Sequence, residues 1–215
     1  MHPKLVIFDV DGLLLDTEIV WYQAWQEIGK KHGVSDLGKT IFLNCVGRNG
    51  QESKEIVLQE LNKYSLSLDI MDEVSIYGRS ILDNHIDVKK GAFELLEKLD
   101  QLKIKKAVAT ATSRELTVER LTRLNLIDYF DYLICGNEVN KRKPDPEIYL
   151  KVLEHFQIDS QEAIVLEDSF VGVEAANRAN IPCIMVPDLA KATKKQEQET
   201  IAIVDSLVEV MEMFK

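Results

Sequence analysis

Short runs of apolar residues, separated by longer amphipathic stretches, recur along this chain. Runs without polar alternation are typical of strands covered on both faces, and five of them are "LVIF" (5–8), "KAVATAT" (106–112), "YLICG" (132–136), "AIVLED" (163–168) and "PCIMVP" (182–187). Four stretches with helical periodicity, at 91–102, 113–125, 145–156 and 169–180, alternate with them. This alternation predicts an α/β fold with a doubly wound, Rossmann-like parallel sheet. The tail from Ala190 onward is predicted to be a loop followed by a terminal helix.

The alternation is interrupted between the first and second predicted strands. Residues 16–87 contain no convincing strand, only helical patterns at 19–33, 51–65 and 73–85. This interval is far longer than an ordinary strand-to-strand crossover. We therefore expect a core domain built from residues 1–15 and 88–215, with a small α-helical domain, 16–87, inserted after the first strand.

Polar residues stand at the ends of the predicted strands. Asp9, Asp11 and Gly12 follow the first strand, the hydroxyls of Thr110 and Thr112 close the second, and Glu167 with Asp168 close the fourth. The cationic segment "NKRKPDP" (140–146) follows the third. Each feature alone has an ordinary explanation, because Asp is common in turns and helix caps and Lys is usually a solvated surface charge. Together they lie at one edge of a parallel sheet, where such sheets bind ligands.

Two local interpretations of these residues are tested by spacing. An EF-hand loop starting at Asp9 would need Asp or Asn, Gly and Glu where the chain has Leu13, Leu14 and Val20, so a calcium loop is excluded. Thr112 and Glu115 have the spacing of a capping box at the start of the next helix.

The charge, hydropathy and cysteine spacing of the chain argue against several classes of function. The net charge is -10 and no long basic run is present, which argues against nucleic-acid binding. No apolar segment approaches the roughly 18 residues of a membrane span, and Asp9 and Asp11 interrupt the one apolar run that a signal peptide would need. The three cysteines have neither zinc nor disulfide spacing. We expect a cytoplasmic protein, monomeric by preference, that binds neither nucleic acid nor membranes.

The segments "FDVDG" (8–12), "ATATS" (109–113), "KRKPDPEIY" (141–149) and "LEDSFVGVEAA" (166–176), in this order, resemble the four motifs of the haloacid dehalogenase-like superfamily, in its phosphatase branch. The inserted helices occupy the place of that family's cap domain, which selects the substrate. The resemblance implies a Mg²⁺-dependent phosphatase that hydrolyses a small phosphorylated metabolite, a sugar phosphate being the favoured class, through an aspartyl-phosphate intermediate.

The same resemblance assigns roles to residues. It makes Asp9 the nucleophile and a metal ligand, and Asp11 the general acid and base, with a carbonyl ligand to the metal. Asp168 would be a further metal ligand, and Glu167 either a ligand or a hydrogen-bond acceptor behind the ligands. The remaining predicted groups bind phosphate or substrate: Gly12, Thr110, the backbone amide of Ala111, Lys143, and Arg48 in the helical domain.

Three alternatives differ in chemistry. Dehalogenases of this superfamily lack the second aspartate, which is present here as Asp11. A β-phosphoglucomutase has a similar cap but carries a histidine and an arginine where this chain aligns Trp21 and Gly50, which favours hydrolysis while leaving the mutase open. A non-catalytic metabolite-binding protein would be expected to have lost Asp9 or Asp11, and both are kept.

Overall fold

A parallel sheet of six strands forms the centre of the computed structural model, which describes residues 2–46 and 50–215. The strands lie in the order β3-β2-β1-β4-β5-β6, which is the order of the Rossmann fold. Their bounds are β1 Leu5–Phe8, β2 Lys105–Ala109, β3 Tyr132–Ile134, β4 Ala163–Glu167, β5 Cys183–Met185 and β6 Ala202–Ile203. Chain order reverses beside β1, which pairs with both β2 and β4. The predicted fold class is confirmed.

Helices connect successive strands, as the alternating pattern predicts. They are α5 Ala92–Gln101, α6 Arg114–Arg123, α7 Glu147–Phe156 and α8 Phe170–Arg178. All four residues of β1 are fully buried, which explains why its sequence shows no polar alternation. Helix α7 turns an apolar face towards the sheet, with Ile148, Tyr149 and Val152 buried in the core.

The prediction for the tail is wrong in one respect. After Ala190 the chain forms α9 Lys194–Glu199, the edge strand β6, and α10 Leu207–Glu212. Strand β6 is only two residues long and pairs with β5 through Ile184 and Met185. A strand this short has no readable periodicity, and only the exposed edge of the sheet makes it a strand.

Two compact units can be separated in the chain, Met1–Leu15 with Val88–Lys215, and Asp16–Asp87. The second unit is helical, with α1 Glu18–Lys31, a wider helical turn Gly38–Phe42, α2 Leu43–Cys45, α3 Gly50–Lys63 and α4 Ile70–Asn84. Its own apolar core contains Ala24, Trp25 and Ile41. Trp21 lies against α4 so closely that a Cβ added at Gly78 would be 2.5 Å from its ring.

Two further features concern the environment of the protein. Across the described residues, none of the helices has both the length and the apolar character needed to span a bilayer. Cys135 and Cys183 are buried, and Cys45 is half-buried.

Candidate active site

The strand register brings distant polar residues to one edge of the sheet. Phe8 pairs with Val108 of β2 and with Leu166 of β4, so Asp9 follows β1 at the level of Ala109 and Glu167. The backbone amide of Asp9 continues the ladder by donating to the Leu166 carbonyl at 3.2 Å. Asp9, Glu167 and Asp168 are all buried. The parallel topology therefore gathers the carboxylates that the sequence scatters over more than 150 positions.

Lys143 is the cation at the centre of this cluster. Its ammonium group donates to Asp9 Oδ1 at 2.7 Å, to Glu167 Oε1 at 2.6 Å and to the Ala109 carbonyl at 2.9 Å. Only 5% of its side chain is exposed. The neighbouring Lys141 has 71% of its side chain exposed, and Arg142 is exposed as well. One of three consecutive cationic residues is thus drawn into the site.

Burial and charge set the protonation of these groups. Burial raises the pKa of Asp9 to about 7, with Lys143 opposing this shift and Glu167 adding to it. Burial alone would also raise the pKa of Glu167, but the attraction of Lys143 outweighs it and leaves that pKa below its ordinary value. For Lys143, burial acts to lower the pKa, and the two carboxylates more than reverse this, so the ammonium stays charged.

The Glu167 carboxylate is held on both oxygens. Oε1 accepts from Lys143 and from the Tyr149 hydroxyl at 2.8 Å, and Oε2 accepts from the Ser169 amide at 3.0 Å and hydroxyl at 2.9 Å. With four donors around it, this carboxylate orients Lys143 and has no acceptor direction left over for a further ligand. Tyr149 and Ser169 were not among the predicted site residues.

Gly172 of α8 lies directly against this carboxylate. A Cβ at that position would stand 1.8 Å from Glu167 Oε1 and 1.9 Å from its carboxyl carbon. Because its four donors hold the Glu167 carboxylate in place, the carboxylate cannot move away from a methyl group added at Gly172.

We expect Gly172→Ala to destabilise the protein by about 1–3 kcal/mol, even though alanine in a helix interior gains up to ~1 kcal/mol over glycine. Urea denaturation measures the change. Asn177→Ala, at an exposed position of the same helix, is the control and should stay within about 0.5 kcal/mol of the parent. A Gly172→Ala protein as stable as the parent would mean that Glu167 is not held as described.

The Asp11 carboxylate has different partners. Its Oδ2 accepts from the Thr112 hydroxyl at 2.6 Å, and its Oδ1 accepts from Arg120 Nη1 at 3.0 Å. The capping box predicted from Thr112 and Glu115 is therefore wrong: helix α6 has Ser113 as its N-cap residue, and the Thr112 hydroxyl donates to Asp11 instead. Arg120 is a site residue that the sequence reasoning missed.

The predicted phosphate-binding groups lie on the loops after β1 and β2. The Thr110 hydroxyl is buried and accepts from the Thr112 amide at 3.2 Å, which leaves its own proton for another acceptor. Ala111 is exposed.

Gly12 has φ +87° and donates its amide to the Leu15 carbonyl at 2.8 Å. In this conformation Gly12 forms the turn and does not present that amide to a phosphate. Arg48 lies outside the described residues.

The oxygen donors at this edge have the chemistry of a magnesium site. Asp9 and Asp168 are buried carboxylates on neighbouring strand ends. Asp11, two residues after Asp9, adds a backbone carbonyl. Within the described ranges, no three side chains from His, Cys, Asp and Glu cluster closely enough to hold a metal by themselves. Mg²⁺ is usually held by one or two carboxylates, with water and substrate phosphate completing the shell. The residues present fit that ion.

Known proteins share much of this sequence. Residues 6–186 match the family described as haloacid dehalogenase-like hydrolase. A phosphorylated carbohydrates phosphatase of Thermotoga maritima is 35% identical over 181 residues, covering 83% of this chain and 82% of that protein. The validoxylamine A 7'-phosphate phosphatase of Streptomyces hygroscopicus is 30% identical over 206 residues, covering 95% and 92%.

A solved structure is similar to this chain over nearly its full length. A Thermotoga maritima structure, named provisionally as a β-phosphoglucomutase, has a TM-score of 0.79 and 31% identity, covering 98% of this chain and 97% of the other. The family match spans every predicted motif. The chain therefore belongs to the haloacid dehalogenase-like hydrolases, and within them to the phosphatases, as its sequence predicts.

Proposed function

We propose that this protein is a Mg²⁺-dependent phosphatase that hydrolyses a sugar phosphate, or another small phosphorylated metabolite, through an aspartyl-phosphate intermediate. The observation that carries the proposal is the buried Asp9 at the end of β1, joined at 2.7 Å to a buried Lys143. A carboxylate in such a position combines a nucleophile with a cation that neutralises an incoming phosphate.

The reaction takes two steps. In the first, an Asp9 carboxylate oxygen forms a bond to phosphorus, the bond from phosphorus to the leaving oxygen breaks, and Asp11 gives its proton to that oxygen. In the second, Asp11 takes a proton from water, the water oxygen bonds to phosphorus, and the Asp9–phosphorus bond breaks. Dividing the hydrolysis in this way lowers each barrier, and one residue serves both proton transfers.

The charge of the phosphoryl group is met by several groups of the chain. Lys143 supplies a fixed positive charge, while the Thr110 hydroxyl and the Ala111 amide donate to phosphoryl oxygens. Glu167 keeps the Lys143 ammonium in place through their 2.6 Å contact. Asp9, the Asp11 carbonyl and Asp168 are the groups that would hold Mg²⁺, which when bound supplies Lewis-acid neutralisation of the phosphate.

The names of two relatives support the proposed substrate class. Two of them are named as phosphatases of phosphorylated carbohydrates and of validoxylamine A 7'-phosphate, and the first shares 35% of aligned residues with this chain. We assign the helical unit Asp16–Asp87 the part of the family's cap, which selects the substrate. The protein is proposed to act in the cytoplasm as a monomer, without nucleic-acid or membrane partners, and light scattering of the purified chain tests the oligomeric state.

A panel of phosphate esters tests this function. We expect Mg²⁺-dependent phosphate release with the highest kcat/KM on a sugar phosphate, and a loss of at least about 100-fold on removing divalent ions with EDTA, because metal neutralisation is worth several kcal/mol. Excess Mg²⁺ should restore the rate, which controls for damage by the chelator. If the folded, Mg²⁺-supplied protein releases phosphate from none of the esters, the proposal is wrong.

A mutase is the second candidate, because one similar structure carries that provisional name at 31% identity. Against it, Trp21 and Gly50 stand at the positions where the mutases carry a histidine and an arginine. The two reactions are separated by supplying β-glucose 1-phosphate with a bisphosphate activator. Formation of glucose 6-phosphate faster than free phosphate would favour the mutase.

A further inference from the structure

We infer that Arg120 is a positioning residue for Asp11: together with Thr112 it fixes the carboxylate that the proposed function uses as acid and base. The inference rests on that proposed function, since it concerns the orientation of a group whose part in the reaction is proposed above. None of the four sequence motifs includes Arg120, which lies in the second half of α6.

Each oxygen of the Asp11 carboxylate accepts a hydrogen bond from a side chain outside its own loop. Arg120 Nη1 donates to Asp11 Oδ1 at 3.0 Å and Thr112 Oγ1 donates to Asp11 Oδ2 at 2.6 Å. The donors come from different places, a helix and the loop that precedes it, while Asp11 itself stands on the loop after β1. Two contacts on opposite oxygens determine both the position and the rotation of a carboxylate, which a single contact does not.

Burial distinguishes this ion pair from the others on the same helix. Only 9% of the Arg120 side chain and 20% of the Asp11 side chain are exposed. One turn further along α6, Arg123 pairs with Glu119 at 3.1 Å, with 33% and 49% exposed. The attraction within a surface pair of that kind is screened by water, so the pair does little to fix the positions of its side chains. A buried guanidinium, in contrast, holds its partner in a defined geometry.

The reaction requires such an orientation. Asp11 has to reach the leaving oxygen in one step and a water molecule in the next, and misplacing a catalytic group by about 1 Å lowers a rate by about 100-fold. A flexible carboxylate on a glycine-containing turn would spend much of its time elsewhere. Arg120 and Thr112 restrict the Asp11 carboxylate to the rim of the site.

The test compares two esters that differ in their need for a proton. p-Nitrophenyl phosphate releases a stabilised phenolate that leaves without protonation, whereas a sugar phosphate releases an alkoxide that depends on the general acid. For Arg120→Met we expect kcat/KM on the best sugar phosphate of the panel to fall by about 10-fold to 100-fold, with a much smaller change on p-nitrophenyl phosphate. Arg120→Lys should recover part of the loss, and Arg123→Met on the same helix should behave as the parent.

The outcomes separate this inference from the proposed function. Equal losses on both esters, or no loss on either, would overturn it, because a purely structural ion pair affects the two alike. Thr112→Val removes the other donor and should give the same selective loss, so it carries the test if Arg120→Met does not fold. A parent protein inactive on both esters would instead contradict the proposed function.

Discussion

Replacing Asp9 with asparagine is expected to reduce phosphate release by at least about 10,000-fold, as the loss of a covalent nucleophile does in other enzymes. Asparagine has the shape of aspartate but cannot attack phosphorus at a useful rate. Steady-state phosphate release measures the loss. In a rapid acid quench with radiolabelled substrate, the parent protein should retain label on the chain and Asp9→Asn should not.

The Asp9→Asn protein should remain folded, which makes the loss of activity interpretable. Burial raises the pKa of Asp9 to about 7, so the fold does not strongly favour the charged carboxylate, and Lys143 keeps its contacts with Glu167 and the Ala109 carbonyl. We expect a change in unfolding free energy of about 1 kcal/mol. Asp159→Asn, at an exposed position of the same unit, is the control and should retain full activity. An active Asp9→Asn protein would contradict the aspartyl-phosphate route.

Lys143→Met is expected to produce the largest loss of stability of any single substitution at this site. The lysine is the cation shared by Asp9 and Glu167, and the Glu167 side chain is completely buried. Removing the cation leaves two buried carboxylates without their counter-charge, an effect of about 3–5 kcal/mol. Urea denaturation of the variant and its parent measures it, and phosphate release should be lost as well. Lys141→Met, an exposed neighbour, should change the stability little.

The loss caused by Lys143→Met should depend on pH. In the parent, Lys143 lowers the pKa of Glu167, so this interaction stabilises the fold above the ordinary carboxyl pKa and is lost on acidification. The difference between variant and parent should therefore be largest at about pH 8 and shrink towards about pH 5, where unpaired carboxylates take up protons. Adding Glu167→Gln to Lys143→Met should restore part of the stability, as expected for two residues in contact. A difference that is constant with pH would show that the lost stability comes from packing and not from charge.

Much of this site could be anticipated because strand ends are readable from a sequence. The apolar runs that end at Phe8 and at Leu166 predict strands, and parallel topology sends their carboxyl ends to one edge of the sheet. Asp9 and Glu167 were therefore expected at the same edge, and the register of the structure makes them neighbours across β1 and β4. No comparable rule placed β6, whose two residues become a strand only because β5 offers an unpaired edge.

Two of the residues that sequence reasoning missed, Tyr149 and Arg120, act through side chains carried by helices. Tyr149 stands inside a quoted motif, but only the structure brings its hydroxyl to Glu167. Arg120 carried a weak signal, since it follows Thr117 at helical spacing on the buried face of α6. A charge on such a face calls for a buried partner, but the sequence does not say which carboxylate that partner is.

The sequence by itself predicted the first five strands and the helices that alternate with them, the helical insertion and the edge at which the polar motifs meet, because periodicity and parallel pairing are local or topological rules. Tertiary structure alone decided which donors and acceptors pair. In the folded chain Lys143 is buried in the site, while Lys141 and Arg142 are exposed. The Glu167 carboxylate accepts hydrogen bonds from four donors. The Asp11 carboxylate accepts hydrogen bonds from Arg120 and Thr112. Partner choice depends on distances of a few ångströms between residues as far apart as Asp9 and Lys143 along the chain, and those distances exist only after the core has packed.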